Sequence, residues 1–271
     1  MTQAETNFLM ETFPSVFAEK ASGFKLDSWQ IKAMDSQSNR LLFCCSRQSG
    51  KSFCAASIAL HEAVYSPGAL ILIISFNLDQ SKEMIKKITD LSRWLDIPPM
   101  PEFNKKSLGL ENGSRIISLS ATEQAVRSWS PTTIIVDEAS RCKEICYLSA
   151  RPALAATNGR LILLSSPNGT RGFFYKAYQN TEGEGWAVFE VTADKCPRIS
   201  KEFLVAERKV MTERLYLQEY FCKFLDFEGQ LLSSDLLRDL IDPDLKPFKF
   251  VDAHVDSEIK RFSYKEDYHY G

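Results

Sequence analysis

Residues 41–52 read Leu-Leu-Phe-Cys-Cys-Ser-Arg-Gln-Ser-Gly-Lys-Ser, and the rest of the chain takes its meaning from them. The apolar residues 41–45, closed off by a polar turn, predict a buried strand, and residues 53–64 carry the apolar spacing of a helix. Between the two lies a loop ending in Gly50-Lys51-Ser52. Amides of a tight loop and of a helix N-terminus have no intrahelical acceptor and sit at the positive end of the dipole, so together they hold an anion such as a triphosphate. Gly50 lets the backbone come close, Lys51 reaches the terminal phosphates, and Ser52 offers its hydroxyl to Mg²⁺. Cys45 stands where the usual phosphate-loop pattern opens with glycine. The competing structural reading is a surface turn, capped by Ser49, before an ordinary helix.

A length of 271 residues allows one large α/β domain, with or without a small appendage. Hydrophobic content of 44% and charged content of 25% are ordinary for a globular protein. The net charge of −2 gives no compositional sign of nucleic-acid binding and leaves a local patch as the means for it. Seven cysteines, odd in number and mostly in apolar stretches, predict buried free thiols in a reducing compartment. Cys142 and Cys146 share helical i, i+4 spacing, but no second Cys/His pair accompanies them, which favours packing over metal binding. Three histidines without a cluster argue against a histidine-centred site. The longest apolar run, residues 69–74, is too short for a membrane span, and the N-terminus is acidic where a leader would be basic. The expectation is a soluble, intracellular protein.

Along the chain, residues 1–25 predict a helix ending at Ser22-Gly23, followed by a second helix capped at Asp27 or Ser28 and running to about Met34. Trp29 and Gln30, a flat aromatic and a bidentate amide, suit adenine recognition, although a Trp at a helix start is usually core. Residues 69–75 predict a second strand, 77–94 a helix ended by prolines, and 107–119 a hairpin about Asn112-Gly113. A β-branched run then ends in Asp137-Glu138. Such a strand delivers carboxylates to the carboxyl edge of a parallel sheet, Asp137 to hold Mg²⁺ and Glu138 to act as general base on water. Residues 160–166 predict a further strand, whose Ser165, Ser166 and Asn168 are placed to sense a γ-phosphate. Residues 186–191 and 201–220 predict a last strand and a last helix. Alternation of apolar strands with helices predicts a parallel sheet wrapped by helices.

With these residues in order, about residues 26–232 resemble the ATPase domain of a large terminase subunit, the motor that packages DNA into tailed-phage and prophage capsids. That family commonly lacks the first loop glycine and carries an Arg-Gln pair, as Ser46-Arg47-Gln48-Ser49-Gly50-Lys51-Ser52 does. Trp29-Gln30 resembles its adenine motif, residues 134–139 its Walker B strand and catalytic glutamate, residues 165–169 with 172–175 its coupling motif, and residues 218–224 its exit from the ATPase core. The resemblance implies a P-loop NTPase of the RecA-like (ASCE) class over residues 1–232, using ATP and Mg²⁺. It implies double-stranded DNA, a portal protein and a small terminase subunit as partners, a pentameric ring, and work in the host cytoplasm at the portal vertex. Arg127, followed by Ser128 where the family often has glycine, competes with Arg47 as the arginine acting on a neighbouring subunit's phosphate. Residues 233–271 resemble a linker toward an RNase H-like nuclease domain, which is expected to lie beyond this chain.

Two other functions compete. A helicase-type translocase shares the adenine element, but such enzymes generally need two RecA-like lobes and the chain has residues for one. A nucleotide-binding assembly protein without turnover is disfavoured by the presence of both Lys51 and Glu138. For DNA, Lys86, Lys87, Arg93, Lys105, Lys106 and Arg115 form a modest basic neighbourhood, a pattern more often found on a solvated face.

Overall fold

The computed structural model describes residues 2–97, 100, 106–121, 126, 128–179, 183 and 185–226. Arg127, Lys105 and the whole of the expected linker lie outside the described residues. Seven strands form one sheet: β1 (Arg40–Cys45), β2 (Leu70–Ser75), β3 (Ser107–Gly109), β4 (Arg115–Ser120), β5 (Thr133–Asp137), β6 (Arg160–Ser165) and β7 (Ala187–Val191). Their spatial order is β3-β4-β2-β5-β6-β1-β7. Six strands are parallel, and β3 alone pairs antiparallel, folded back onto β4 by the Asn112-Gly113 turn with Gly113 at φ 84°. The chain is therefore a mostly parallel α/β sheet of the RecA-like P-loop kind.

Period-two alternation sorts the strand residues into two cores. Leu41, Phe43, Ile71, Ile73, Ile135, Ile162 and Leu164 pack on one side, under α2 (Pro14–Ser22), α3 (Ser28–Met34), α4 (Lys51–Tyr65) and α5 (Leu78–Trp94). Leu42, Cys44, Leu72, Ile74, Ile134, Val136, Leu161 and Leu163 pack on the other, against α6 (Glu144–Ala153) and α7 (Phe173–Gln179). Burying each such large side chain contributes roughly 1.5–3 kcal/mol, which is why continuous apolar runs are obligatory in strands covered on both faces.

Two predicted helices are each broken in two. Residues 1–25 form α1 (Gln3–Thr12) and α2, because Pro14 has no N–H to continue the first helix and instead opens the second. His61 on α4 lies 3.0 Å from the Met10 and Glu11 carbonyl oxygens that the break leaves open. Residues 201–220 form α8 (Lys201–Val210) and α9 (Glu213–Phe221), separated where Thr212 caps the second helix by accepting from the Leu215 amide at 3.3 Å. Helices α6 and α7 had no clear sequence signal as complete elements.

Strand β6 enters the sheet at a tight point. A Cβ on Gly159 would lie 2.4 Å from the Thr132 backbone oxygen and 2.7 Å from Leu154 Cδ2. Gly159→Ala is expected to destabilise the domain by about 1–3 kcal/mol, since backbone must shift to admit it. A lower urea midpoint with an unchanged slope would show this; an unchanged midpoint would contradict it.

Candidate nucleotide site

Strand β1 runs through Cys45, the position where the usual pattern has glycine. Cys45 still pairs with Val191 of β7, and the Ser46 amide donates to the Val191 carbonyl at 2.8 Å. Because Cys45 is ordinary buried strand, no glycine is needed there. The loop then coils through two left-handed residues, Gln48 at φ 58° and Gly50 at φ 94°, and is pinned by the Ser49 hydroxyl donating to the Ser46 carbonyl at 2.9 Å. The first helical bond runs from the Cys54 amide to the Gly50 carbonyl at 3.1 Å. Among the described residues the amides of Gln48, Ser49, Gly50, Lys51, Ser52 and Phe53 find no acceptor. Six successive uncommitted donors at the N-terminus of a 15-residue helix, with Lys51 only 8% exposed beside them, make an anion-binding nest.

Gly50 is held for a second reason. A Cβ there would meet Gln30 Nε2 at 2.7 Å and an Arg198 terminal nitrogen at 3.3 Å. Gly50→Ala is expected to weaken ATP binding about tenfold or more, since the left-handed backbone alone costs about 1–2 kcal/mol for an L-residue. Titration calorimetry would show it, and unchanged affinity would refute the tight fit.

The loop's neighbours follow from the strand order. Strand β6 lies between β1 and β5, with Ser165 in register with Cys44 and Leu164 with Asp137. Ser165 and Ser166 are thereby brought between the loop and the acids. Asp137 is buried, and its carboxyl is pushed up to about 6 by desolvation and by the charge of Glu138, with Lys51 opposing the rise. Glu138 adopts the left-handed conformation at φ 51°, ψ 44°, a strain of about 1–3 kcal/mol of the kind that persists at functional sites. Its carboxylate accepts from the Ser165 hydroxyl at 3.4 Å, and that hydroxyl also meets Ser140 at 2.7 Å. Asn168 follows, half-buried, on the loop leaving β6.

The Ser52 hydroxyl and the Asp137 carboxylate are hard oxygen donors. No cluster of three or more metal-binding side chains exists among the described residues. That donor set fits Mg²⁺, which keeps several waters and takes its remaining ligands from substrate phosphates, better than a cation needing a full protein cage.

Trp29 and Gln30 part company in the structure. Adjacent helical positions point about 100° apart. Gln30 is 3% exposed and turned toward Gly50, its carboxamide oxygen accepting from the Asp27 amide at 2.9 Å as part of a capping box. Trp29, half-buried, packs edge-on against Phe43 of the core, ring centroids 6.4 Å apart. The two side chains thus face different ways, Trp29 against the core and Gln30 toward the loop. Beside Gln30 a mainly apolar cavity of about 460 Å³, lined by Phe24, Phe53, Pro197 and Arg198, reaches Gly50. Its volume is that of a small-molecule site.

Three further side chains join the site. Arg198 donates to the Ser49 carbonyl at 2.8 Å and pairs with Asp27 at 2.9 Å, tying the loop to the start of α3. Arg141, in the single turn after Glu138, lies 3.9 Å from Glu138 and 3.5 Å from Glu219. Glu219 also binds Arg47 Nε at 2.9 Å and the Ser166 hydroxyl at 3.0 Å. Of the basic neighbourhood named from the sequence, Arg93 pairs with Asp90 and Arg115 lies over the Trp129 ring. No helix among the described residues is long and apolar enough to cross a membrane.

A family profile described as terminase large subunit, T4likevirus-type, N-terminal, matches residues 42–238, which include the loop, both acids and the Ser165-Ser166 edge. The chain belongs to the terminase large-subunit family. It is 26% identical over 214 residues to the terminase large subunit of Escherichia phage T5, covering 75% of this chain and 48% of that protein. It thus spans about half the length of that curated relative. The large terminase ATPase domain of Thermus phage P74-26 superposes with a TM-score of 0.67 at 21% identity, over 79% of this chain and 99% of that one. The HK97 bacteriophage large terminase superposes at 0.57 and 19% identity, over 80% and 50%. A large terminase from a thermophilic bacteriophage, solved with ADP, gives 0.62 at 10% identity, over 74% and 54%. At these identities the structural likeness establishes the fold of this terminase chain.

Proposed function

We propose that this terminase chain hydrolyses ATP and that the hydrolysis drives movement of double-stranded viral DNA into a procapsid. The observation that carries the reading is the placement of a strained, left-handed Glu138 across β6 from six uncommitted loop amides. A binding-only site needs the amides and has no use for the glutamate.

In this reading the amides of residues 48–53 and Lys51 hold the β- and γ-phosphates. Ser52 and Asp137 would hold Mg²⁺, which would supply charge neutralisation for the phosphates. Glu138 takes a proton from the water attacking the γ-phosphorus, and its bond from Ser165 keeps the carboxylate aimed. Lys51 and the loop amides stay with the negative charge that builds on the departing β-phosphate oxygen. Ser166 and Asn168, leaving the same strand, are placed to respond when the γ-phosphate is lost. The purine occupies the cavity beside Gln30 and Arg198. Binding of ADP by the related phage terminase supports nucleotide as the ligand class. Portal protein, small terminase subunit and a ring of like subunits complete the proposal, with Arg127 as the arginine acting between subunits and Arg47 acting within its own.

Phosphate release from ATP across a range of chain concentrations tests the assembly. Rates rising faster than linearly are expected if Arg127 completes a neighbour's site. A strictly linear dependence would remove the inter-subunit arginine from the proposal and leave Arg47 as the arginine of each site.

A further inference from the structure

Glu219 belongs to neither the loop, the acids nor the serine edge, yet Arg47 of the loop, Ser166 of the edge and Arg141 from the turn after the acids all meet on it. It sits on α9 and is 3% exposed. One carboxylate oxygen accepts from Arg47 Nε and Ser166 Oγ, the other faces Arg141 at 3.5 Å, and its backbone carbonyl accepts from the Arg47 amide at 3.0 Å. Helices α8 and α9 have an apolar cluster of their own, around Leu204, Tyr216 and Tyr220, distinct from the two cores that sandwich the sheet. Packing alone would be served as well by an apolar side chain, because a buried carboxylate carries a desolvation penalty that its ion pairs at best offset. The charge has a more specific effect on Arg47. That guanidinium is gripped through Nε only, its side chain is 57% exposed, and its two terminal nitrogens make no hydrogen bond among the described residues. Gripping Nε fixes the plane of the fork and leaves free the pair of donors that matches two phosphate oxygens.

We infer that Glu219 is a positioning residue that aims Arg47 at the γ-phosphate of bound ATP, with Ser166 and Arg141 tying that aim to the ends of β6 and β5. The inference rests on the ATP reading above. Its test compares ATP and ADP affinities, with Mg²⁺ present, for the unmodified chain, Glu219→Gln, Arg47→Ala, Arg47→Lys and the Glu219→Gln/Arg47→Ala pair. ADP lacks the γ-phosphate, so its affinity reports whether the loop is intact. The preference for ATP is expected to fall about tenfold in Glu219→Gln and in Arg47→Ala, and no further in the double variant. Losses that multiply in the double variant, or an unchanged preference in Glu219→Gln, would overturn the inference. Should Glu219→Gln fail to fold, Arg47→Lys decides: lysine keeps the ion pair but has no fork, so loss of the ATP preference supports the inference and its retention overturns it. An unmodified chain that binds neither nucleotide would instead refute the ATP reading itself, and one that binds both without turnover would refute only the hydrolysis step.

Discussion

Replacing Glu138 with glutamine is expected to cut phosphate release about 10²- to 10⁴-fold, the usual contribution of a positioned general base, while ATP affinity changes by no more than a few-fold. The amide keeps the size of the carboxylate and an oxygen for the Ser165 hydroxyl, so the edge of the sheet should hold its shape. It cannot take a proton from water. Single-turnover measurements with radiolabelled ATP would separate the two effects. Comparable loss of binding and of turnover would mean that Glu138 acts on the structure of the site and not on the water. A rate within tenfold of the unmodified chain would move the base elsewhere.

Lys51→Ala carries the second large effect, and on a different quantity. The ammonium sits almost fully buried at the opening of α4 and contributes to holding Asp137 ionised. Truncating one partner of a desolvated charge contact costs about 2–5 kcal/mol, so ATP should bind roughly 30- to several-thousand-fold more weakly. The variant also removes the Lys51 charge that favours the ionised form of buried Asp137, and a modest loss of stability should accompany the loss of affinity. Equilibrium binding of a fluorescent ATP analogue, alongside a thermal melt, would distinguish these. Retained affinity with a lowered melting temperature would make Lys51 a structural lysine and would undo the phosphate-site reading.

Much of this site is legible in the sequence because its parts are local. Residues 41–53 show strand, tight loop and helix start within thirteen positions, and the run into Asp137-Glu138 advertises a buried strand that ends in charge. The left-handed turn at Gln48 and the register that inserts β6 beside β1 depend on pairing between segments far apart, and no period in the sequence reports such pairing. Trp29 and Gln30 look like neighbours in a string and face different ways on a helix. Glu219 is harder still. It is separated from Arg47 by 172 positions and lies in a helix of mixed charge, where an acid ordinarily faces water. The available signal was its place beside Tyr216 and Tyr220 on a stripe that is otherwise buried, which packing alone could convert into a reason. Arg198 and Arg141 gave no such signal, since a loop arginine becomes informative only when its partner is known.

All seven cysteines are buried, and two of them, Cys45 at the end of β1 and Cys54 in the first turn of α4, flank the Lys51 loop in the chain. Burial holds the Cys45 and Cys54 thiols protonated, so neither shape nor ionisation offers a soluble alkylating reagent a reactive sulfur in the closed state. Alkylation of Cys45 or Cys54 requires a local opening that exposes the sulfur. The rate of modification at Cys45 and Cys54, resolved by site and timed with and without nucleotide, therefore reports how often the chain on either side of the Lys51 loop opens.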